Sequence, residues 1–133
     1  MGIKLSNNFG VNIDFPLLSD IVKILSSSKE WDCIEILKTD SKNTFESHLV
    51  IIYEPIYGVL LRYCFGDCED EFIYVDHNKT TEIIEIETFD GGDEWVVPSN
   101  YFSKWNEVES TVESYLANDD KIDTNGWAIL GLE

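Results

Sequence analysis

Composition and charge narrow the functions open to this chain of 133 residues. A hydrophobic fraction of 44%, with 4 Trp, 6 Tyr and 7 Phe, is enough apolar material for a folded core and argues against disorder. With 26 acidic against 9 basic residues the net charge is −17, so the surface repels nucleic-acid phosphates and anionic membranes and attracts cations and basic proteins.

The first half of the sequence predicts a strand, a helix and the beginning of an antiparallel sheet. Residues 3–13 are expected to form a short strand. Asp14 is expected to cap a helix whose apolar residues recur at helical spacing and which ends near the serines at 26–28. Apolar runs then predict strands over 32–38, 45–53 and 59–65. The strand 45–53 becomes apolar on both faces, so we expect it to be central in the sheet.

The second half continues the sheet and then returns to a helix. Strands are predicted over 72–75 and over 80–88, where isoleucines alternate with Glu85 and Glu87. An acidic turn with two glycines leads to an apolar run that ends at Pro98. A second helix is then expected from about residue 104 to 118 and a last strand over 127–130.

These elements together predict the fold class. The turns between strands are about five residues long, which is too short for crossover helices and argues against a parallel sheet. We therefore expect residues 1–133 to form a single α+β domain, with an antiparallel meander of five or six strands and an N-terminal and a C-terminal helix packed on it.

Membrane and cysteine patterns indicate a cytoplasmic protein. No apolar run reaches the roughly 18 residues that a membrane span needs, and the first ten residues lack the apolar region of a signal peptide. The three cysteines have no framework spacing, which favours free thiols in the cytosol.

No local sequence motif points to catalysis, and we expect that the chain is not an enzyme. His48 lies in a predicted strand and His77 in a predicted turn, and neither belongs to a hydrolase motif. Cys64, Cys68 and His77 could ligate zinc, but their spacing is not that of a standard knuckle, and small buried thiols explain the cysteines better. The acidic turns do not match the twelve-residue calcium loop. We expect neither a metal nor a cofactor.

Acidic side chains cluster in two of the predicted turns. If strand 71–75 pairs with 80–88, then turns 66–70 and 89–94 lie at the same end of that hairpin and form one acidic patch, bordered by Trp95 and Tyr74. Such a patch suits electrostatic capture of a basic protein, with an aromatic anchor beside it. The predicted partner-binding residues are Asp67, Glu69, Asp70, Glu71, Tyr74, Glu85, Glu87, Asp90, Asp93, Glu94 and Trp95.

Residues 58–130 carry a series of short motifs found together in one class of proteins. In chain order they are Gly58-Val59-Leu60-Leu61-Arg62-Tyr63, Gly91-Gly92, Val96-Val97-Pro98, Tyr115-Leu116 and Trp127. In these features the chain resembles immunity proteins of bacterial polymorphic toxin and contact-dependent growth-inhibition systems.

The resemblance implies a non-catalytic cytoplasmic inhibitor that binds one cognate toxin domain, often a nuclease. A nuclease must attract phosphate, so its site is cationic and an acidic inhibitor can be steered into it. Binding to nucleic acid or to a membrane is not expected. Two alternatives remain open: an acidic nucleic-acid mimic that inhibits DNA-binding proteins, and a small metal-binding protein.

Overall fold

The computed structural model describes residues 2–27, 32–40, 42, 44–66, 71–76, 85–90, 93–117 and 122–130. In these ranges the chain forms ten strands, two α-helices and one 3-10 helix. The strands are β1 (Gly2–Ser6), β2 (Asn12–Asp14), β3 (Asp32–Thr39), β4 (Phe45–Glu54), β5 (Gly58–Phe65), β6 (Glu71–Ile73), β7 (Glu85–Asp90), β8 (Asp93–Pro98), β9 (Phe102–Ser103) and β10 (Ala128–Leu130). The α-helices are α1 (Leu18–Ser27) and α2 (Trp105–Ala117), and the 3-10 helix is Ser99–Tyr101.

One large antiparallel sheet organises the fold. Its strand order is β10-β6-β5-β4-β3-β1-β2, with β9 paired to β5 off this path. The predicted α+β class and antiparallel meander are confirmed, since β3 to β6 pair in chain order, and β4 is central as expected. The sheet is larger than the five or six strands predicted because a hairpin, β1–β2, extends one edge and β10 extends the other.

The β1–β2 hairpin replaces the single strand predicted over residues 3–13. Asn7 Oδ1 accepts hydrogen bonds from the backbone N–H groups of Phe9 and Val11, at 3.0 and 2.9 Å, and so folds the chain back on itself. Gly10 completes this turn at φ +85°, a left-handed conformation that glycine adopts without steric cost. Asn7 Nδ2 also donates to the buried carboxylate of Asp32 at 3.1 Å, which ties the turn to the start of β3.

The first helix begins later than predicted. Asp14 is the last residue of β2 and does not cap the helix. Instead, Oδ2 of Asp20, in the first turn of α1, accepts a hydrogen bond of 2.7 Å from the backbone N–H of Leu17. The second helix lies within one residue of its predicted bounds at either end.

Two hydrophobic cores lie on opposite faces of the large sheet. Neighbouring residues of a strand point to opposite faces, and in β4 Ile51 belongs to one core while Ile52 belongs to the other. The first core is covered by α1 and α2, which contribute Ile21, Val108 and Val112. The second core is covered by the separate two-stranded sheet β7–β8. The large sheet is therefore the middle of three layers.

The pairing of strand 71–75 with 80–88 was a wrong prediction. Among the described strands, β6 lies between β5 and β10, with Ile73 opposite Arg62 on one side and Ala128 on the other. Strand β7 instead pairs with β8, from Glu85 opposite Pro98 to Asp90 opposite Asp93. Since both sides of β6 are occupied, β6 and β7 do not form the shared hairpin on which the predicted single acidic patch depended.

The prediction of free thiols holds for one of the two cysteines that the structure describes. Cys33 is buried and reduced, whereas Cys64 is disulfide-bonded. Cys68 and His77, the other two candidate zinc ligands, lie outside the described residues. Neither α1 nor α2 is long and apolar enough to cross a membrane.

Candidate protein-binding surface

The β7–β8 hairpin presents an acidic face to solvent. Ile86 and Val97 are paired across the hairpin, are nearly inaccessible and pack on the second core. Because side chains alternate along a strand, Glu85 and Glu87 point away from the large sheet, and both are exposed. Val96 lies opposite Glu87 and is 49% exposed. We call Glu85, Glu87 and Val96 the outer acidic face.

The sequence around this hairpin lacks compensating positive charge. Residues 80–103 contain six acidic residues and no Lys, Arg or His. A surface with one sign of charge attracts an oppositely charged partner over roughly a Debye length, about 8 Å at physiological salt. The predicted alternation of apolar and acidic residues in this strand is confirmed for residues 85–87.

Trp95 is a structural residue as well as a candidate contact. It lies opposite Thr88 in the hairpin and packs, partly buried, against the second core. Its indole therefore helps to hold the hairpin on the large sheet.

Tyr74 lies on the other face of the large sheet. It packs against the first core and makes an edge-to-face contact with Trp127, with ring centroids 5.6 Å apart. Burial, together with the nearby carboxylates of Glu107 and Asp76, raises the pKa of the Tyr74 hydroxyl. Tyr74 and Trp95 consequently do not border one patch, contrary to the prediction from the sequence.

The remaining predicted contacts divide into three groups. Glu71 is one-third exposed and its Oε2 lies 3.8 Å from Nη1 of Arg62, so part of its charge is compensated within the protein. Asp90 and Asp93 lie opposite each other at the end of the β7–β8 hairpin, and Glu94 follows Asp93 in β8. The side chains of these three residues are not among those described. The residues that lie outside the described ranges altogether are Asp67, Glu69 and Asp70.

A second polar cluster lies on the face of the large sheet that carries the second core. Sequence analysis missed it. His48 Nδ1 lies 3.7 Å from Oε1 of Glu35 across β3 and β4. The interaction with His48 lowers the pKa of the Glu35 carboxyl, the charge of Arg62 acts in the same direction, and partial burial opposes both. His48 Nε2 is buried and has no hydrogen-bond partner among the described residues. The signal that could have revealed this cluster is Glu35, the single charged residue between Ile34 and Ile36.

A third group combines a hydroxyl, a phenol and an amine, but it is buried under α2. Tyr115 Oη lies 2.9 Å from Oγ of Ser47, and Lys38 Nζ lies 4.0 Å from the centre of the Tyr115 ring. All three residues are at most 6% exposed. Burial raises the pKa of Tyr115 and keeps its hydroxyl protonated. We interpret this group as a packing link, because a substrate could not reach it without moving the helix.

The described residues contain no group of three or more His, Cys, Asp or Glu placed to hold a metal ion. The sulfur of Cys64 is in a disulfide and is not available as the thiolate that zinc requires.

Comparisons with protein-family models, curated protein sequences and solved structures gave no match. Charge and surface geometry are the features of the described residues that bear on function.

Proposed function

We propose that this chain is an immunity protein that binds and neutralises a basic bacterial toxin domain, of nuclease type, in a tight one-to-one complex. The observation that supports it is the outer acidic face, where Glu85 and Glu87 are exposed on a hairpin anchored by Ile86 and Val97. The net charge of −17 adds a long-range attraction toward a basic partner. In this proposal the protein acts by binding and is not an enzyme.

A preorganised acidic surface suits this task. A nuclease site is cationic because it binds phosphate, so opposite charges accelerate encounter and orient the two proteins. The hairpin already packs on the second core through Ile86 and Val97, so little ordering of the surface is required on binding. Protection of a cell from a catalyst requires nanomolar or tighter binding, about −12 kcal/mol or beyond.

The hairpin alone is too small to be the whole interface. Its six-residue strands are about 20 Å long, whereas a standard interface buries about 800 Å² on each partner. The contact surface in the proposed complex therefore extends beyond Glu85, Glu87 and Val96. The predicted acidic residues near the hairpin turn, at 90–94, are the natural extension along the chain.

The proposed location is the cytoplasm of the cell that makes the toxin. Disulfides are rarely persistent in that compartment. The proposal therefore implies that the Cys64 disulfide is dispensable for binding, and complex formation in a reducing buffer should match that in an oxidising one.

Charge reversal on the outer acidic face tests the proposal. The partner to test is a basic domain encoded at the end of a large reading frame, to be sought next to the gene for this chain. Glu85→Lys/Glu87→Lys should slow association at low salt by tenfold or more and flatten its salt dependence, because steering is lost. The matched control, Glu107→Lys/Glu113→Lys, makes the same change in net charge at exposed positions of α2 and should slow association less than threefold.

Two results would contradict the proposal. Equal slowing by both double variants would mean that only net charge matters and that the outer acidic face is not the contact. Absence of a complex with any basic toxin domain, combined with binding to several unrelated DNA-binding proteins, would instead support the nucleic-acid mimic.

A further inference from the structure

The described sheets differ in how their edges are protected. The large sheet ends in β2 and β10, each only three residues long, and short edge strands are a common protection against unwanted strand pairing. Strands β7 and β8 are each six residues long. No described strand pairs with the outer edge of either one. The hairpin therefore carries the longest unpaired strand edges in the described part of the chain.

Of these two edges, that of β7 is better suited to accept another strand. β8 ends at Pro98, which has no backbone N–H to donate. β7 contains no proline, so each residue whose backbone faces the outer edge can both donate and accept a hydrogen bond there. β7 also carries the two exposed glutamates of the outer acidic face, Glu85 and Glu87.

Charge decides which strand fits this edge. If two copies of this chain paired through β7, acidic side chains would lie opposite or diagonal to one another, and like charges in cross-strand positions are destabilising. A strand with Lys or Arg at alternate positions would instead place a positive charge beside Glu85 and another beside Glu87. Cross-strand pairs of opposite charge stabilise strand pairing.

We propose that a basic partner binds by adding a strand to the outer edge of β7, with which no described strand pairs, and so turns the β7–β8 hairpin into a three-stranded sheet. The basic character of that partner rests on the function proposed above, whereas the edge itself is a property of this chain. The alternate side chains of the added strand would point to the same side as Ile86, toward the large sheet. The binding segment of the partner is therefore expected to alternate basic with apolar or small residues.

A synthetic peptide tests this site without the natural partner. The probe is Lys-Thr-Lys-Val-Lys-Thr-Lys with an acetylated N-terminus and an amidated C-terminus, and the readout is amide hydrogen exchange of the intact protein. At a peptide concentration ten times its dissociation constant, the outward-facing amides of Glu85–Asp90 should exchange about tenfold more slowly. Amides of β2 (Asn12–Asp14) should be unchanged. Unchanged exchange in β7, or equal slowing in β2, would overturn the proposal.

An N-methylated peptide separates strand addition from simple charge attraction. Methylation of alternate backbone nitrogens on the edge that would face β7 keeps the charge, removes the N–H donors of that edge and places methyl groups between the two strands. The proposal requires that this peptide protects β7 at least fivefold less than the parent peptide at equal concentration. Equal protection would show that the acidic side chains alone bind it. The variant Glu85→Gln/Glu87→Gln should bind the parent peptide more weakly. An unchanged affinity would count against the charge pairing.

Failure of the strand-addition proposal can be distinguished from failure of the proposed immunity function. A toxin domain that binds tightly but leaves exchange in β7 unchanged would overturn strand addition and leave the immunity function standing. Protection of β7 by the peptide, with no basic toxin domain bound by the protein, would support the edge site and overturn the immunity function.

Discussion

The hydroxyl of Tyr115 in α2 and that of Ser47 in β4 form a buried hydrogen bond of 2.9 Å. Tyr115→Phe keeps the ring beneath Lys38 but leaves the Ser47 hydroxyl buried without this partner. We expect a loss of about 1–3 kcal/mol in the free energy of unfolding. Ser47→Ala should cost a similar amount. The double variant should cost clearly less than the sum, and urea unfolding of all four proteins measures this coupling. Additive losses would contradict the buried bond.

Gly58 is expected to be intolerant of substitution. It has φ +105°, and a Cβ at this position would collide with the backbone carbonyl of Ser103 in β9. Gly58→Ala therefore combines backbone strain with overpacking and should destabilise the protein by about 3 kcal/mol. Gly10→Ala is the matched control, since Gly10 also has a positive φ, +85°, but open space around its Cβ position. It should cost about 1 kcal/mol. Similar losses in denaturant unfolding would exclude the collision.

Glu35 should contribute to stability in a pH-dependent way. Its pKa is lowered from the ordinary value of 4.5, chiefly by His48. A lowered pKa means that the contribution is present above the unfolded-state value and disappears as the pH falls through the folded-state value. Because the Glu35 side chain is 50% exposed, Glu35→Gln should cost less than about 1 kcal/mol at pH 7. That difference should shrink as the pH falls below 4.5 and through the lowered pKa of Glu35.

The control for this pH dependence is Glu113→Gln, which removes the same charge from the exposed surface of α2. Urea unfolding at several pH values should show no comparable closing gap for this variant. A Glu35→Gln deficit that persists unchanged at low pH would indicate lost packing and not a lost ionic interaction.

The cysteines allow a direct chemical check. The chain has three cysteines, Cys64 is disulfide-bonded and a disulfide occupies two thiols. Protein purified without reductant and then denatured should therefore expose one thiol to a thiol reagent, and three after reduction. Three reactive thiols before reduction would show that the disulfide does not form.

The central strands were predictable from local pattern. In β3, β4 and β5 the apolar runs are long, and the intervening turns carry glycine, proline or polar residues, so type and bounds follow directly from the sequence. Pairings between distant segments were not predictable in the same way. The match of β6 with β10 depends on tertiary contacts that neither strand encodes in its own alternation.

The candidate surface was likewise predictable in its local pattern but not in its strand pairing. The outward direction of Glu85 and Glu87 followed from their alternation with Ile86, because one face of the strand had to be buried. The layer to which the hairpin belongs did not follow from that pattern. Tyr74 and Trp95 were placed together only through an assumed strand pairing, and a different pairing put them on opposite faces of the large sheet.

The meander order also has a consequence for how the chain reaches its native state. β3, β4 and β5 close through short turns, so their pairing requires little loop-closure entropy. Ala128 of β10, in contrast, pairs with Ile73, 55 positions earlier in the chain. We therefore expect a folding nucleus centred on β4, with φ-values highest in β3–β5 and close to zero in β10. Weakening the nucleus would slow folding, whereas weakening β10 would mainly speed unfolding.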